Sequence, residues 1–176
     1  MQQKSDDGDS DLHVKVECTI EEFFYGCRKT ITFPRETPRT QGLATSDIVS
    51  RQIEVRPGFN AQGETLVFPG EGHIRFGKPQ GNLIVSFTTA AHEKFKRRHN
   101  DLVYTHSISL VDALKSGPIH FTNIDGQIIE TAIDEVITPQ TEKLIPGKGM
   151  PILNNDPLGP IKRNFARGNL IIKFDI

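Results

Sequence analysis

The 176-residue chain has no tryptophan and only two cysteines, two methionines and two tyrosines. Cys18 and Cys27 are too few for a disulfide framework or for a four-ligand zinc site built on CxxC pairs. No apolar run approaches the ~18–20 residues of a membrane-crossing helix. The polar opening Met1-Gln2-Gln3-Lys4-Ser5-Asp6 lacks the apolar stretch of a signal peptide, so a cytoplasmic location is expected. Charge of one sign is missing too. The net charge is −1, and the one local imbalance is the acidic head, where Lys4 stands against Asp6, Asp7, Asp9 and Asp11. Without a basic excess, neither nucleic acid nor a membrane surface is an expected partner. With 36% hydrophobic and 24% charged residues, the composition is that of a folded globular chain.

Catalytic signatures are also wanting. Pro146-Gly147-Lys148-Gly149-Met150-Pro151 is glycine-rich but lacks the G-x-x-x-x-G-K-[ST] pattern of a phosphate loop, and Pro151 bars an immediate helix. The six histidines form no H-E-x-x-H pair and no cluster with cysteine, so no metal site is expected. Cys27 has no nearby base to activate it, and no G-x-S-x-G elbow occurs. The reading is a non-enzyme with no catalytic residues and no cofactor. The basic cluster Lys94-Phe95-Lys96-Arg97-Arg98-His99, flanked by Glu93 and Asp101, fits a solvated connector; contact with an acidic segment is the sharper alternative.

What is present is a repeat. Gly81-Asn82-Leu83-Ile84-Val85-Ser86-Phe87 recurs as Gly168-Asn169-Leu170-Ile171-Ile172-Lys173-Phe174. Before each lies a Pro-Gly-x-Gly element, at 69–72 and 146–149. More loosely, Thr19 to Gly26 parallels Ser109 to Gly117. Three matches in the same order imply two copies of one subdomain.

Within each copy the pattern is β-rich, and fifteen glycines and eleven prolines suit many turns between short strands. Leu12, Val14, Val16 and Cys18 alternate with polar residues at the strand period of two. Thr19 and Glu22 spell a capping box for a short helix that Gly26 stops, and Ser109 with Asp112, ended by Gly117, does the same. Lys29, Ile31 and Phe33 share the face of a second strand, and Pro34 to Ser46 reads as a polar loop. Further strands are expected at 48–56, 64–68 and 82–88, with Arg56-Pro57-Gly58 as a turn. In the second copy, Asn123-Ile124-Asp125-Gly126 marks a hairpin between 119–122 and 127–133, followed by strands at 142–145 and 169–175. The fold class is mainly β: two tandem β-sandwich-like subdomains, each with a short helix.

Val14 and Val16 on one strand, with Ile31 and Phe33 on the next, fit a filled core or a partly open groove. Lys29 shares the parity of Ile31 and Phe33, which is awkward in a sealed interior. A groove with a cation at its rim would take an extended peptide added to the sheet edge.

At this level of detail the chain resembles the C-terminal, substrate-binding region of the zinc-free (type II) heat-shock 40 kDa, or DnaJ, family of J-domain co-chaperones. Thr19-Ile20-Glu21-Glu22-Phe23-Phe24-Tyr25-Gly26-Cys27-Arg28-Lys29 is similar to that family's opening motif, and Val55-Arg56-Pro57-Gly58-Phe59 to its V-x-P-G turn. His92 to Leu102 resembles its connector, with Glu93 and His99 where the family has Pro and Gly. Pro146 to Pro151 and Arg167-Gly168-Asn169-Leu170 resemble its closing motifs. In order, these motifs span nearly all of 12–176.

The resemblance implies a DnaJ C-terminal peptide-binding fold: an acidic linker remnant at 1–11, subdomain I at 12–90, a connector at 91–101 and subdomain II at 102–176. It implies a chaperone role in protein folding, in which subdomain I binds unfolded, extended hydrophobic polypeptides and the acidic C-terminal tail of the 70 kDa heat-shock chaperone. Its groove residues fall on Val14, Val16, Lys29, Ile31, Phe33 and Val85, the lysine pairing with the tail's carboxylates. No histidine is followed by Pro-Asp, the J-domain tripeptide, so stimulation of ATP hydrolysis by this chain alone is not implied. The family continues beyond the position of Ile176 into a dimerisation segment, which implies a homodimer for a longer parent and a monomer for this chain. The alternative is a structural subunit that uses the same fold within a larger assembly.

Overall fold

In β1 (Leu12–Cys18) the alternation becomes a buried face of Leu12, Val16 and Cys18 against exposed His13, Lys15 and Glu17, with Val14 half-buried. The structure is a computed structural model and describes residues 10–38, 44–115, 117–153 and 166–176. The acidic head, apart from Ser10 and Asp11, lies outside the described residues. After β1 the chain turns into α1 (Ile20–Tyr25). Thr19 Oγ1 accepts from the Glu22 amide at 3.1 Å and Glu22 Oε1 accepts from the Thr19 amide at 3.0 Å, so both halves of the capping box form. Gly26, at φ +78°, ends the helix.

Two long strands follow, β2 (Cys27–Pro38) and β3 (Ala44–Val55), paired as a two-stranded sheet. The polar loop expected from Pro34 to Ser46 is therefore mostly strand; residues 39–43 lie outside the described residues. Local polar bonds hold this stretch extended. Thr37 Oγ1 and Thr45 Oγ1 are 3.2 Å apart, the Glu36 amide donates to His73 Nδ1 at 3.1 Å, and the Glu36 carbonyl accepts from the Ile74 amide at 2.9 Å. Pro34 is tolerated because it faces solvent in a two-stranded ribbon. The Arg56-Pro57-Gly58 turn forms as expected, with the Phe59 amide donating to the Arg56 carbonyl.

Strands β4 (Leu66–Phe68) and β5 (Leu83–Thr89) complete a sheet of order β1-β5-β4, with β1 parallel and β4 antiparallel to β5. The second copy repeats the plan. It contains β7 (Asp101–Ser107), α2 (Leu110–Leu114), the hairpin of β8 (Gly117–Thr122) and β9 (Ile128–Ile133), then β10 (Glu142–Ile145) and β11 (Leu170–Asp175). Here β7 runs parallel to β11, and β10 antiparallel to it. The fold is mainly β, with two short helices among the described residues.

Three details differ from the sequence expectation. Helix α2 ends at Leu114, and Gly117 opens β8 instead of stopping the helix. Its cap shows the Ser109 Oγ bond from the Asp112 amide, while the reciprocal bond described at Thr19 is not found; aspartate is one methylene shorter than glutamate. Within the expected connector lies a strand, β6 (Phe95–Arg98), antiparallel to β7, giving a sheet of order β10-β11-β7-β6. His99, at φ +56°, makes the tight turn between β6 and β7.

The duplication extends to single hydrogen bonds. Asp11 Oδ1 accepts from the Asn82 amide at 2.8 Å, and Asp101 Oδ1 from the Asn169 amide at 2.7 Å. The Ser10 carbonyl accepts from His73 and the Asn100 carbonyl from Met150, both at 2.8 Å. Gly72 donates to Gly81, and Gly149 to Gly168, again at 2.8 Å.

By contact the described residues form two compact units. The first gathers those up to Cys18 with Arg28–Glu54 and Gly63–Thr89; the second holds Thr19–Cys27, Val55–Gln62 and everything from Ala90 onward. Helix α1 and the turn at 55–62, first-copy by sequence, thus group with the second unit. Arg97 is one reason: its guanidinium donates to the carbonyls of Phe59 at 2.5 Å, Gly58 at 2.9 Å and His99 at 2.7 Å. The Gly58 amide in turn donates to the Phe23 carbonyl of α1. Of the basic cluster, Lys94, Lys96 and Arg98 remain exposed.

Candidate functional site

The six groove candidates all lie in the first unit, and they divide by accessibility. Val85, on β5, is completely buried, and Val16, Ile31 and Phe33 are at most 8% exposed. Burial follows from parity, because the apolar faces of β1, β2 and β5 all turn to the interior. Val14 and Lys29 are half-buried. Val14 stands directly opposite Val85 in the β1–β5 register. Lys29 Nζ donates to the Glu17 carbonyl at 3.0 Å, which brings the start of β2 to the end of β1.

Each strand that carries one of the accessible pair has a single strand partner among the described residues. Among the described residues β1 pairs only with β5, and β2 only with β3. A strand edge presents a row of backbone donors and acceptors that another extended chain can satisfy. The site thus offers backbone hydrogen bonds, one partly accessible aliphatic side chain, one cation, and a wholly apolar interior beneath.

In the second unit a cavity of about 330 Å³ lies between the end of β7, α2 and β8, lined in part by His106, Asp112, Lys115, Ile119 and His120. Burial, and then the neighbouring His120, lower the pKa of His106. Burial raises that of Tyr104, whose hydroxyl lies 3.3 Å from His106 Nδ1. Neither histidine had stood out in the sequence, because they lie on different strands and form no motif. Phe95 and Tyr104 also escaped notice. Their signal is the pair Asp11-Leu12 and Asp101-Leu102, a further repeat match that marks β7 as the counterpart of β1. Among the described residues there is no metal-binding cluster of His, Cys, Asp or Glu, and no helix long and apolar enough to cross a membrane.

Comparison with known proteins gives this arrangement a family. The chain is 29% identical to human DnaJ homolog subfamily B member 13 over 160 residues, which is 90% of this chain and 48% of that protein. It is 33% identical to DnaJ protein homolog 1 of Drosophila melanogaster over 159 residues, 90% of this chain and 45% of the relative. Mitochondrial protein import protein MAS5 of Saccharomyces cerevisiae is 34% identical over 127 residues, 71% of this chain and 29% of that protein. The chain therefore spans less than half the length of these relatives. The family model for the DnaJ C terminal domain matches residues 12–176, and the chain belongs to that family.

Proposed function

We propose that this chain is a polypeptide-binding region of a co-chaperone, and that its first unit receives extended hydrophobic segments of unfolded clients. The same surface takes the acidic C-terminal tail of a 70 kDa heat-shock chaperone. One observation carries the reading: Val14 and Lys29, the accessible members of the groove set, sit on two strands that, among the described residues, each pair with one other strand. Backbone pairing along a strand edge is indifferent to sequence, which suits a binder of many clients, while Lys29 supplies a charge for carboxylates. A client side chain fully desolvated here contributes ~1.5–3 kcal/mol, so single contacts are weak.

The test is fluorescence anisotropy with two labelled peptides, one apolar and extended, the other ending in consecutive carboxylates. Lys29→Glu is expected to weaken the acidic peptide at least tenfold and the apolar one little. Equal loss of both would refute the role of Lys29. Absence of binding to either peptide and to a permanently unfolded protein would refute the reading and favour a structural subunit.

A further inference from the structure

We infer a second binding site, separate from the groove set: the cavity between β7, α2 and β8 receives an ammonium group carried on an aliphatic stem. The two copies treat equivalent positions differently here. Leu12 and Leu102 donate their amides to the carbonyls of Asn82 and Asn169, which makes Ser107 of β7 the counterpart of Glu17 of β1. The helix caps Thr19 and Ser109 make Asp112 the counterpart of Glu22. Ile31-Thr32-Phe33 of β2 matches Ile119-His120-Phe121 of β8, both buried, exposed, buried, so Gly117 is the counterpart of Lys29.

In the first copy the cation is built in. Lys29 spans from β2 to β1, and its Nζ donates to the Glu17 carbonyl at 3.0 Å. In the second copy glycine stands there, with nothing within 4 Å of the place its Cβ would take. The cavity of about 330 Å³ lies at this position, lined by both counterparts of that bonded pair, Ser107 and Gly117.

A carboxylate is set free at the same place. In α1, Glu22 Oε1 accepts from the Thr19 amide at 3.0 Å. Asp112 is a methylene too short for that bond, and among the described residues its carboxylate has neither a hydrogen bond nor an ion pair. It lines the cavity, while buried Ile119 and Ile137 supply an apolar wall. Lys115 lines it too, but its side chain is exposed and unbonded among the described residues. The second copy has thus lost an internal lysine and gained an unpaired carboxylate beside the space. An ammonium on a flexible stem matches both, with methylenes against the isoleucines and its donors toward Asp112 and the Ser107 carbonyl.

Two sources carry this chemistry, a lysine side chain of another polypeptide and a free polyamine. The test follows amide shifts of the whole isotope-labelled chain by NMR during titration with Nα-acetyl-lysine methylamide, its Nε-acetylated form, and spermidine. Saturable shifts at Ser107, Asp112 and Gly117 are expected with the charged amines and not with the Nε-acetylated form, which keeps the stem and loses the charge. Either order of affinity supports the site: tighter binding of the lysine derivative assigns a polypeptide side chain, and tighter binding of spermidine a free polyamine. Asp112→Asn should weaken binding about tenfold, as loss of a charge-assisted bond does. Gly117→Lys should rebuild the first copy's arrangement and abolish binding, while Gly117→Ala should bind nearly as well as the unaltered protein. Should Gly117→Lys fail to fold, Asp112→Asn, at an exposed position, decides alone. Equal binding of the Nε-acetylated form, shifts centred away from this cavity, or undiminished binding in Asp112→Asn overturns the inference. So does the absence of saturable shifts with both amines. Peptide binding by the first unit stands or falls separately, on the anisotropy of Lys29→Glu.

Discussion

The carbonyl of Ser10 occupies the space that a Cβ on Gly81 would need, and the carbonyl of Asn100 does the same at Gly168. A Cβ on either glycine would overlap a backbone atom that cannot rotate away. Gly81→Ala and Gly168→Ala should each cost about 1–3 kcal/mol, the usual range for forced overpacking, read as a lower urea midpoint at unchanged slope. Gly63 is the contrast: open space surrounds its Cβ position, and the cost of alanine there comes from φ +75° alone, about 1–2 kcal/mol. The steric account is wrong if all three variants lose the same stability and Gly81→Ala binds peptides normally.

Burial separates two residues that the sequence placed in one groove. Phe33 is 4% exposed, so Phe33→Ala should cost about 3–5 kcal/mol, a large share of a typical domain's ~5–15 kcal/mol. Val14→Ser should cost well under that, because the side chain is only half removed from water. Peptide affinity should show the reverse order once measured on folded protein. Thermal melts paired with anisotropy on both variants decide it, and a Val14→Ser variant with unaltered affinity counts against the groove.

Residue patterns revealed some of this directly and concealed the rest for identifiable reasons. The strand period in Leu12 to Cys18 and the Thr19–Glu22 cap are local, so they could be read without tertiary information. The parallel neighbours β1 and β5 are set by the Gly-Asn-Leu repeat, whose asparagine amides bond Asp11 and Asp101 far away in sequence. Strand β6 was hidden because Phe95-Lys96-Arg97-Arg98 has one apolar side chain, and its pairing with β7 is a tertiary event. The extension of β2 through Pro38 was hidden likewise, since threonines and a proline signal a loop until cross-strand bonds claim them. Accessibility of the groove residues was not legible, because parity assigns a face and says nothing of what covers it.

Arg97 illustrates how a basic run misleads. Its planar fork reaches three carbonyls at once and lies 5.4 Å from the centroid of Phe23. Lysine offers no fork, so Arg97→Lys should leave carbonyls poorly satisfied and cost about 1–3 kcal/mol. Lys96→Ala, on the exposed face of β6, should stay within about 0.5 kcal/mol. Faster hydrogen exchange at the Gly58 amide in Arg97→Lys would locate the damage at the 55–62 turn. Unchanged exchange there would reject the clamp.

Acid should loosen the second unit through His106. Burial, followed by repulsion from His120, holds its folded-state pKa below the ordinary 6.5, and Asp112 and Lys115 line the same cavity. The unfolded chain therefore binds more protons at this position as pH falls below about 7. The sign follows: stability is lost as pH drops from neutrality through the folded-state value, and the loss levels off below it. His106→Asn, which cannot titrate, should flatten the decline in Tm between pH 7 and 5 and change little between pH 7.5 and 8.5. His120→Asn removes only the repulsion, so it should flatten the same limb by less. An acid limb identical in both variants and the unaltered protein would assign the loss to other groups.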